Sequence, residues 1–278
     1  MVGSVAAIHR YPVKSMLGEH VERGEVTGCG LDGDRAYAVL DRRGAVGSVK
    51  HPRKWGPLLE CRAARSGDGA VRVRLPDGTA LDAGSAELDD RLSELVGRPV
   101  TVSDKPSDAG VLERAVPAYA GGASDESRRS AVTDATGTQV TSMRVADGTF
   151  LDFGAVHAVT TGTLTTLRGR HAGDFDARRF RPNLVIDTGD APGFPEDTWV
   201  GRRIRVGGAV LEALMPTPRC VVPTLAHGEL PADPAIMRAV ARDHRVPVLD
   251  IGPLTCVGIY LSVVEPGPVG RGDRVLVD

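Results

Sequence analysis

Apolar and polar positions alternate in short runs over the first hundred residues, a pattern typical of β-strands. The runs VGSVAAIHRYPV, VERGEVTG, RAYAVLD, GAVGSV, AVRVRLPDG and RPVTVSD are bounded by Gly, Pro or Asp. Asp77 and Gly78, which follow one of these runs, form a dipeptide that predicts a β-hairpin. Short strands at this spacing predict a small barrel or sandwich.

Helical periodicity interrupts the strands at two clear places. One predicted helix begins at Ser85, a suitable N-cap, and ends at Gly97, a suitable C-terminal stop. Its apolar stripe consists of Leu88, Leu92 and Leu95. The second predicted helix is PADPAIMRAVARDHR, in which Asp233 serves as the cap and Pro234 lies in the first turn.

The second half of the chain mixes strands with short helices. HAVTTGTLTTLRG predicts a strand that runs into a short helix. The runs NLVIDTG, RIRVGGAVLEALMP, RCVVPTL, GIYLSVVEPG and DRVLVD predict further strands. No internal repeat is present. The predicted fold class is therefore mixed and β-dominated (α+β), with two or three helices.

A change in composition separates the two halves. Residues 118–142 are rich in Gly, Ser, Thr and Asp and poor in large apolar side chains, which predicts a long exposed loop. We therefore predict an N-terminal β-barrel-like domain over 1–110, a linker over 111–150 and a second β-barrel domain over 151–278. Loops of this length are typical of lids or of disordered segments, and the sequence leaves both open.

Composition narrows the function classes. The 278 residues are 41% hydrophobic and 25% charged, with a formal net charge of −2, which excludes a disordered, collagen-like or coiled-coil chain. The near-neutral charge argues against nucleic-acid binding through bulk charge. The N-terminus lacks the pattern of a signal peptide, and the longest apolar stretch is far shorter than the ~20 residues of a membrane span. We expect a cytoplasmic protein without membrane or nucleic-acid partners.

The number of cysteines and the absence of standard enzyme motifs exclude several further kinds of site. The four cysteines are too few and too scattered for a disulfide framework, and no two form a C-x-x-C pair, which suits a reducing cytoplasm. Phosphate-loop, dinucleotide, serine-hydrolase and H-E-x-x-H motifs are absent, and the seven histidines show no metal-ligand spacing. Any cysteine with a function is therefore expected to act singly.

Cys220 is the strongest candidate for chemistry. It lies in MPTPRCVVPT, where three prolines predict a stiff, irregular loop or sheet edge. Arg219 precedes it, and a neighbouring cation favours the thiolate form of a cysteine. A thiolate held in a rigid loop is a nucleophile or a soft-metal ligand. The alternative is a small buried core residue, which is the expectation for Cys29, Cys61 and Cys256.

Cationic residues near strand ends form a second candidate feature. Arg181 and Asn183 precede the apolar strand in FRPNLVID, Lys14 and Ser15 follow a proline turn, and Arg35 lies at the entrance of a strand. Guanidinium groups suit phosphate and carboxylate, although each residue alone is equally explained by a surface ion pair. Together with Cys220, these positions fit one anionic ligand bound between the two halves.

The ordered set of motifs resembles a known family. In chain order the motifs are YPVKS, GDR, FRPNLVI, an E-D-x-W segment, RRIRVGGAVLEAL, PRC and a closing V-x-x-G-D-x-V. This ordered set is similar to the MOSC superfamily. The first part resembles the MOSC N-terminal β-barrel domain and the second resembles the MOSC domain. The two-domain layout is similar to that of the amidoxime-reducing component and its bacterial relatives. Pyridoxal phosphate binding is a further association of the family.

The resemblance implies a site for molybdenum cofactor in the cleft between the two domains. It assigns Cys220 as the thiolate ligand of molybdenum and, with Asp152, as a catalytic residue. The cofactor's phosphate and pterin would be held by a group of polar and aromatic residues. These residues are Lys14, Ser15, Arg35, Arg181, Asn183, Arg219 and Tyr260. Beside Asp152, Phe153 and Gly154 stand where relatives often carry small hydroxyl residues, so the resemblance leaves the shape of the substrate pocket open.

The function implied is a two-electron reduction of small N-hydroxylated or N-oxide substrates. A separate flavin or iron–sulfur reductase would supply the electrons, because these cysteines lack the spacing that holds a cluster. Two alternatives stay open. One is a sulfur carrier with a persulfide on Cys220, and the other is a cofactor-free biosynthetic enzyme, for example one that cleaves a C–S bond in the same cleft.

Overall fold

A computed structural model describes residues 1–106 and 110–278. The strands are β1 (Gly3–Arg10), β2 (Glu19–Val21), β3 (Arg23–Thr27), β4 (Gly30–Leu31), β5 (Ala38–Asp41), β6 (Arg62–Arg65), β7 (Val71–Arg74), β8 (Ala80–Asp82), β9 (Val100–Ser103), β10 (Val111–Ala115), β11 (Val132–Thr133), β12 (Gln139–Arg144), β13 (Val156–Thr160), β14 (Leu184–Asp187), β15 (Arg203–Val206), β16 (Ala209–Pro218), β17 (Arg245–Pro247), β18 (Pro253–Glu265), β19 (Gly267–Gly270) and β20 (Arg274–Val277). The helices are α1 (Pro52–Trp55), α2 (Ala86–Val96), α3 (Asp125–Arg129), α4 (Thr161–Arg170), α5 (Ala177–Phe180) and α6 (Ala235–Asp243).

Seven strands close into a barrel, which confirms the β-dominated fold class. Around the barrel the order is β13, β14, β1, β20, β15, β16 and β18, and β18 pairs back onto β13. Only β13 and β14 pair in parallel within this ring. The barrel interior is filled by buried aliphatic side chains such as Ile8, Ile186, Leu211 and Ile259. Because β1 belongs to this ring, the first strand of the chain packs among strands of the C-terminal half.

Smaller sheets and a second core make up most of the first hundred residues. The sheets are β6–β7–β8, β5–β9 and β19–β3–β4. The predicted hairpin joins β7 to β8, and Gly78 adopts the positive φ of +89° that its turn requires. Helix α2 is also confirmed, because the Ser85 hydroxyl accepts a hydrogen bond from the Leu88 N–H at 3.3 Å. Trp55 lies at the centre of this core.

Residues 118–142 differ from the predicted exposed loop. They contain α3 and β11 and run into β12, which pairs with both β10 and β11. The sequence signal is weak because these strands are polar, and Val140 is one of the few buried side chains that anchor them. The Asp134 carboxylate organises the turn before β12 by accepting from the backbone N–H groups of Thr136 and Thr138. Residues 107–109, next to the predicted boundary at 110, lie outside the described residues.

Four further predictions are wrong in detail. RCVVPTL forms a 3₁₀ turn over Val222–Thr224 instead of a strand, because Pro223 has no N–H to donate to a neighbouring strand. GAVGSV forms only an isolated bridge between Leu40 and Val46. Six short α-helices occur in the described residues where two or three were expected. The N-cap of α6 is Pro234 instead of Asp233, although the Asp233 carboxylate accepts from the first N–H of the helix, that of Ala235, at 2.8 Å.

Candidate functional site

One cleft brings together every site residue predicted from the sequence. It lies where the barrel meets the N-terminal sheets and opens to solvent, and the space between its walls, open solvent included, is about 680 Å³. The predicted residues that line it are Lys14, Ser15, Arg35, Asp152, Arg181, Asn183, Arg219, Cys220 and Tyr260. The sequence reasoning missed several other lining residues, among them Lys50, His157 and Phe180.

Two lysines and one aspartate form a salt-bridge network in the cleft wall. Asp152 Oδ1 accepts from Lys14 Nζ at 2.7 Å, and its Oδ2 lies 2.8 Å from Lys50 Nζ. Burial opposes ionisation of Asp152, but the two ammonium groups hold its pKa well below the usual range. Burial lowers the pKa of Lys14 to about 8 despite the carboxylate. For Lys50, burial opposes the charge, but the attraction of Asp152 together with that of Cys220 and Tyr260 raises the pKa.

Ser15 explains how Lys50 reaches the cleft. The buried Ser15 hydroxyl donates to the Gly47 carbonyl and accepts from the Val49 N–H, both at 3.2 Å. These bonds hold the segment that carries Lys50 against the turn that carries Lys14. A sequence signal for Lys50 existed, because the chain has only four lysines among 34 basic residues.

Two arginines stack on one buried tyrosine beside this network. The guanidinium carbons of Arg35 and Arg181 lie 4.6 and 4.3 Å from the Tyr11 ring centroid. Arg35 is also paired with Asp34. Burial raises the pKa of Tyr11 to about 12, and burial together with Arg35 lowers the pKa of Arg181 to about 10. The tyrosine ring therefore holds two like charges side by side, partly through cation–π attraction.

Unusual backbone conformations cluster at this cleft. Apart from glycine, the described part of the chain has four residues with positive φ, and three of them line the cleft. These are Ser15 at +71°, Arg35 at +47° and Arg181 at +54°. Side chains with a Cβ rarely adopt this region, and such residues concentrate at functional sites because surrounding contacts must compensate for the strain.

The cysteine loop is fixed from both sides. The Arg219 carbonyl accepts from the Tyr119 hydroxyl at 2.6 Å, and its guanidinium donates to the Phe180 carbonyl at 2.8 Å. The next residue, Cys220, is only partly buried, so its thiol borders the cleft. Tyr119 lies in the segment predicted to be a loop, which is why the sequence reasoning missed it.

The other three cysteines lie in different environments. Cys61 and Cys256 are buried, and burial raises the pKa of each thiol to about 12. Cys29 was expected to be a packing residue, but it is exposed in the turn between β3 and β4. A turn residue at the chain surface has little to pack against, so that prediction is wrong. Cys220 is the only cysteine among the residues of the described cleft.

Asn183 and Tyr260 shape the cleft from the barrel side. The Asn183 side chain accepts from the His157 N–H at 3.1 Å and donates to the His9 carbonyl at 3.3 Å, which ties β13 to β1. Tyr260 on β18 lies beside His157 and the exposed Phe153, with ring centroids 5.6 and 5.7 Å apart. Burial lowers the pKa of His157 well below its usual value, so this ring is neutral at pH 7.

Charge and donor geometry favour an anionic ligand in the cleft. Five cationic side chains line it, and Asp152 is the one lining carboxylate among the described residues. Low-dielectric walls strengthen the attraction of such a cleft for anions. No three His, Cys, Asp or Glu side chains in residues 1–106 and 110–278 are grouped to hold a metal ion by themselves. The cationic residues are Lys14, Arg35, Lys50, Arg181 and Arg219.

Fold and site together define a β-barrel protein with a cation-rich ligand cleft and a cysteine at its edge. The MOSC domain model matches residues 146–276, and the MOSC N-terminal beta barrel domain model matches residues 2–110. The chain therefore belongs to the MOSC family. This family is associated with molybdenum-cofactor sulfurase-like proteins and, in general, with molybdenum cofactor binding.

Solved structures similar to this chain have low sequence identity. The YuaD protein from Bacillus subtilis is 14% identical, with 100% of this chain and 96% of that chain covered and a TM-score of 0.46. YiiM from Geobacillus stearothermophilus is 18% identical, covers 45% of this chain and 54% of that chain, and has a TM-score of 0.32. No curated protein matches this sequence. No helix among the described residues is both long and apolar enough to cross a bilayer.

Removing the Asp152 charge is expected to destabilise the fold. We expect Asp152→Asn to lower the free energy of unfolding by about 2–3 kcal/mol, since it leaves the buried ammonium group of Lys14 and the partly buried one of Lys50 without their carboxylate. The value lies below that of a fully buried pair because the Asp152 side chain is 28% exposed. Urea unfolding at pH 7 measures the loss. Lys14→Met combined with Asp152→Leu should recover part of it, and an Asp152→Asn protein as stable as the wild type would contradict the network.

Proposed function

We propose that this cleft binds molybdenum cofactor and that the protein is the molybdenum-containing component of a reductase for N-hydroxylated or N-oxide substrates. The observation that carries the proposal is the convergence of Cys220 with five cations in one cleft of a MOSC family member. A soft thiolate suits molybdenum, and guanidinium and ammonium groups suit the phosphate of the pterin.

Donors without partners support the fit of an anionic ligand. Arg181 Nη1 and Arg219 Nε are buried and have no hydrogen-bond partner within the described residues. A buried charged donor without an acceptor is costly, so such groups are expected to be satisfied by a ligand or by water. Both side chains line the cleft. A ligand rich in acceptor oxygens, such as a phosphate attached to a polar ring system, would accept hydrogen bonds from these two donors.

The residues divide into three tasks. Lys14, Arg35 and Arg181 would bind the phosphate and the polar rim of the pterin, and Cys220 would bind the metal. When bound, the cofactor supplies the two-electron redox chemistry. Asp152 would position the ammonium groups of Lys14 and Lys50, since each of its two carboxylate oxygens pairs with one of them.

The mouth of the cleft would select the substrate. Tyr260 lines the barrel side of the cleft, and the exposed ring of Phe153 lies next to it, which favours flat, partly apolar molecules that carry a polar N–O group. A neutral His157 close to Tyr260 adds no charge there. We propose that the electrons come from a separate flavin or iron–sulfur reductase, because the chain has no cysteine spacing suited to a cluster.

The experiment compares protein made in hosts with and without molybdenum-cofactor synthesis. We expect about one molybdenum atom per chain from the competent host, and reduction of an aryl amidoxime with reduced viologen as the electron source. Metal analysis, pterin fluorescence and substrate assays give three independent readouts. Equal turnover by metal-free protein would overturn the proposal and favour a cofactor-free enzyme. Protein from the competent host with neither metal nor pterin would also overturn it.

A further inference from the structure

A second cleft adjoins the first and shares Arg181 with it. The space between its walls, open solvent included, is about 610 Å³, and His9, Tyr11, Arg62 and His227 contribute to these walls. Apart from Arg181, none of these residues lines the first cleft. Of these residues, only Arg181 was assigned to the site from the sequence. A separate cavity of polar lining residues therefore lies behind the arginine and tyrosine wall.

Unpartnered polar atoms concentrate on the walls of this second cleft. Within the described residues, eight buried side-chain nitrogen and oxygen atoms have no hydrogen-bond partner. Three of them are Tyr11 Oη, Arg181 Nη1 and His227 Nε2, and all three side chains line this cavity. The side chains are at least nine-tenths buried. Because buried polar groups are normally paired, three such groups at one cavity indicate a polar occupant.

The His227 ring adds a requirement for a donor. Its Nδ1 lies 2.8 Å from the Leu225 carbonyl oxygen, which can only accept, so Nδ1 carries the proton. Burial lowers the pKa of His227 to about 4, so the ring is neutral at pH 7 and Nε2 holds a lone pair. The matching ligand must therefore donate a hydrogen bond to His227.

Charge adds a requirement for an anion. Arg62, Arg178 and Arg181 line the cavity, and Glu19 is the one lining carboxylate among the described residues. The Glu19 carboxylate is already occupied, since it accepts from Arg10 Nε at 2.8 Å. Arg178 is paired with Asp176 and Glu229, which leaves Arg181 as the buried cation without a carboxylate of its own. The matching ligand accepts from this guanidinium.

We propose that the second cleft binds a phosphate group that keeps at least one P–OH, either as free phosphate or as a monoester. Arg181 and Tyr11 donate to its unprotonated oxygens, and its hydroxyl donates to His227 Nε2. A carboxylate lacks the donor, and a neutral alcohol lacks the charge that Arg181 favours. Tyr11 and His227 line the second cleft only, so the inference is independent of the proposed function except through Arg181, which lines both clefts.

The experiment titrates the full chain from a host without molybdenum-cofactor synthesis, and isothermal calorimetry at pH 6 reports binding. Inorganic phosphate keeps a P–OH at this pH and sulfate keeps none, so phosphate should bind at least about tenfold more tightly than sulfate. The preference should disappear in His227→Leu and return in His227→Gln, whose amide oxygen accepts in place of Nε2. Tyr11→Phe should weaken the binding of both anions.

A matched variant separates the two clefts. Lys50→Met removes a cation of the first cleft only, and the phosphate preference should survive it. Methyl phosphate binding as tightly as phosphate would identify an esterified ligand, and weaker binding would identify free phosphate. Equal affinities of the wild type for phosphate and sulfate that are unchanged by His227→Leu would overturn the proposal, since all of the anion binding would then belong to the first cleft. A preference that persists in His227→Leu or is lost in Lys50→Met would overturn it too.

Discussion

The Cys220→Ala protein is expected to contain at least about tenfold less molybdenum than the wild type, since changes around a metal ligand typically cost ~10–100-fold in metal affinity. Its pterin content should fall by a smaller factor. The cationic wall is untouched by this substitution, so the phosphate and pterin contacts of Lys14, Arg35 and Arg181 would persist. Cys220 is the only cysteine that lines the cleft among the described residues. Metal analysis and pterin fluorescence on the same preparation separate the two losses.

Two matched variants sharpen this result. Cys29→Ala removes an exposed thiol outside the cleft and should leave metal and pterin unchanged. Cys220→Ser keeps the size but replaces a soft ligand by a harder one, so its metal content should lie between those of alanine and the wild type. Wild-type metal content in Cys220→Ala would show that the ligand assignment is wrong. Cyanide-releasable sulfur on Cys220, with no bound metal, would favour a sulfur carrier instead.

The sequence correctly predicted helices and hairpins that are stabilised by contacts between residues close together in the chain. The hairpin at Asp77 and Gly78 and the helix from Ser85 to Gly97 each depend on a few neighbouring residues. The same holds for α4, since the Thr160 hydroxyl accepts from the Thr163 N–H. Barrel strands were predicted from their own apolar runs, whereas polar strands that depend on distant partners were missed. The polar strands near 118–142 are held by pairing with β10, which no local pattern indicates.

The candidate site also contains some residues that sequence motifs indicated and others whose role comes from contacts distant in sequence. Motif order placed nine residues that the structure brings to one cleft, although their roles stay predictions. Tyr11 carries two guanidinium groups on its ring, and its partner Arg181 is 170 residues away in the chain. Lys50 reaches Asp152 only because Ser15 holds its segment in place. Contacts of this range arise from tertiary packing, so single-residue patterns could not indicate them.

Arg179 is the clearest example of a residue whose role depends on tertiary contacts that the sequence does not indicate. Its side chain is fully buried, and its Nε donates to the Asp174 carbonyl at 2.8 Å. Its Nη2 donates to the Pro231 carbonyl at 2.9 Å, and longer contacts reach the carbonyls of Pro223 and Leu225. One guanidinium thus joins α5, just before Arg181, to the loop that follows Cys220. In sequence it is indistinguishable from its neighbour Arg178.

Arg179→Met is therefore expected to destabilise the protein by about 3–5 kcal/mol, since it removes two short hydrogen bonds from a charged donor, each of which contributes about 1.5–3 kcal/mol. The carbonyls of Asp174, Pro223, Leu225 and Pro231 would lose this donor, and methionine replaces only the aliphatic stem. Arg178→Met is the matched control, because that side chain is 47% exposed and its ion pairs lie at the surface, where a pair contributes about 0–1 kcal/mol. Arg179→Lys should fall between them, since it keeps the charge but loses the fork of donors. Urea unfolding of the three variants measures the difference, and equal stabilities of Arg179→Met and Arg178→Met would refute the role of Arg179 in holding the cysteine loop.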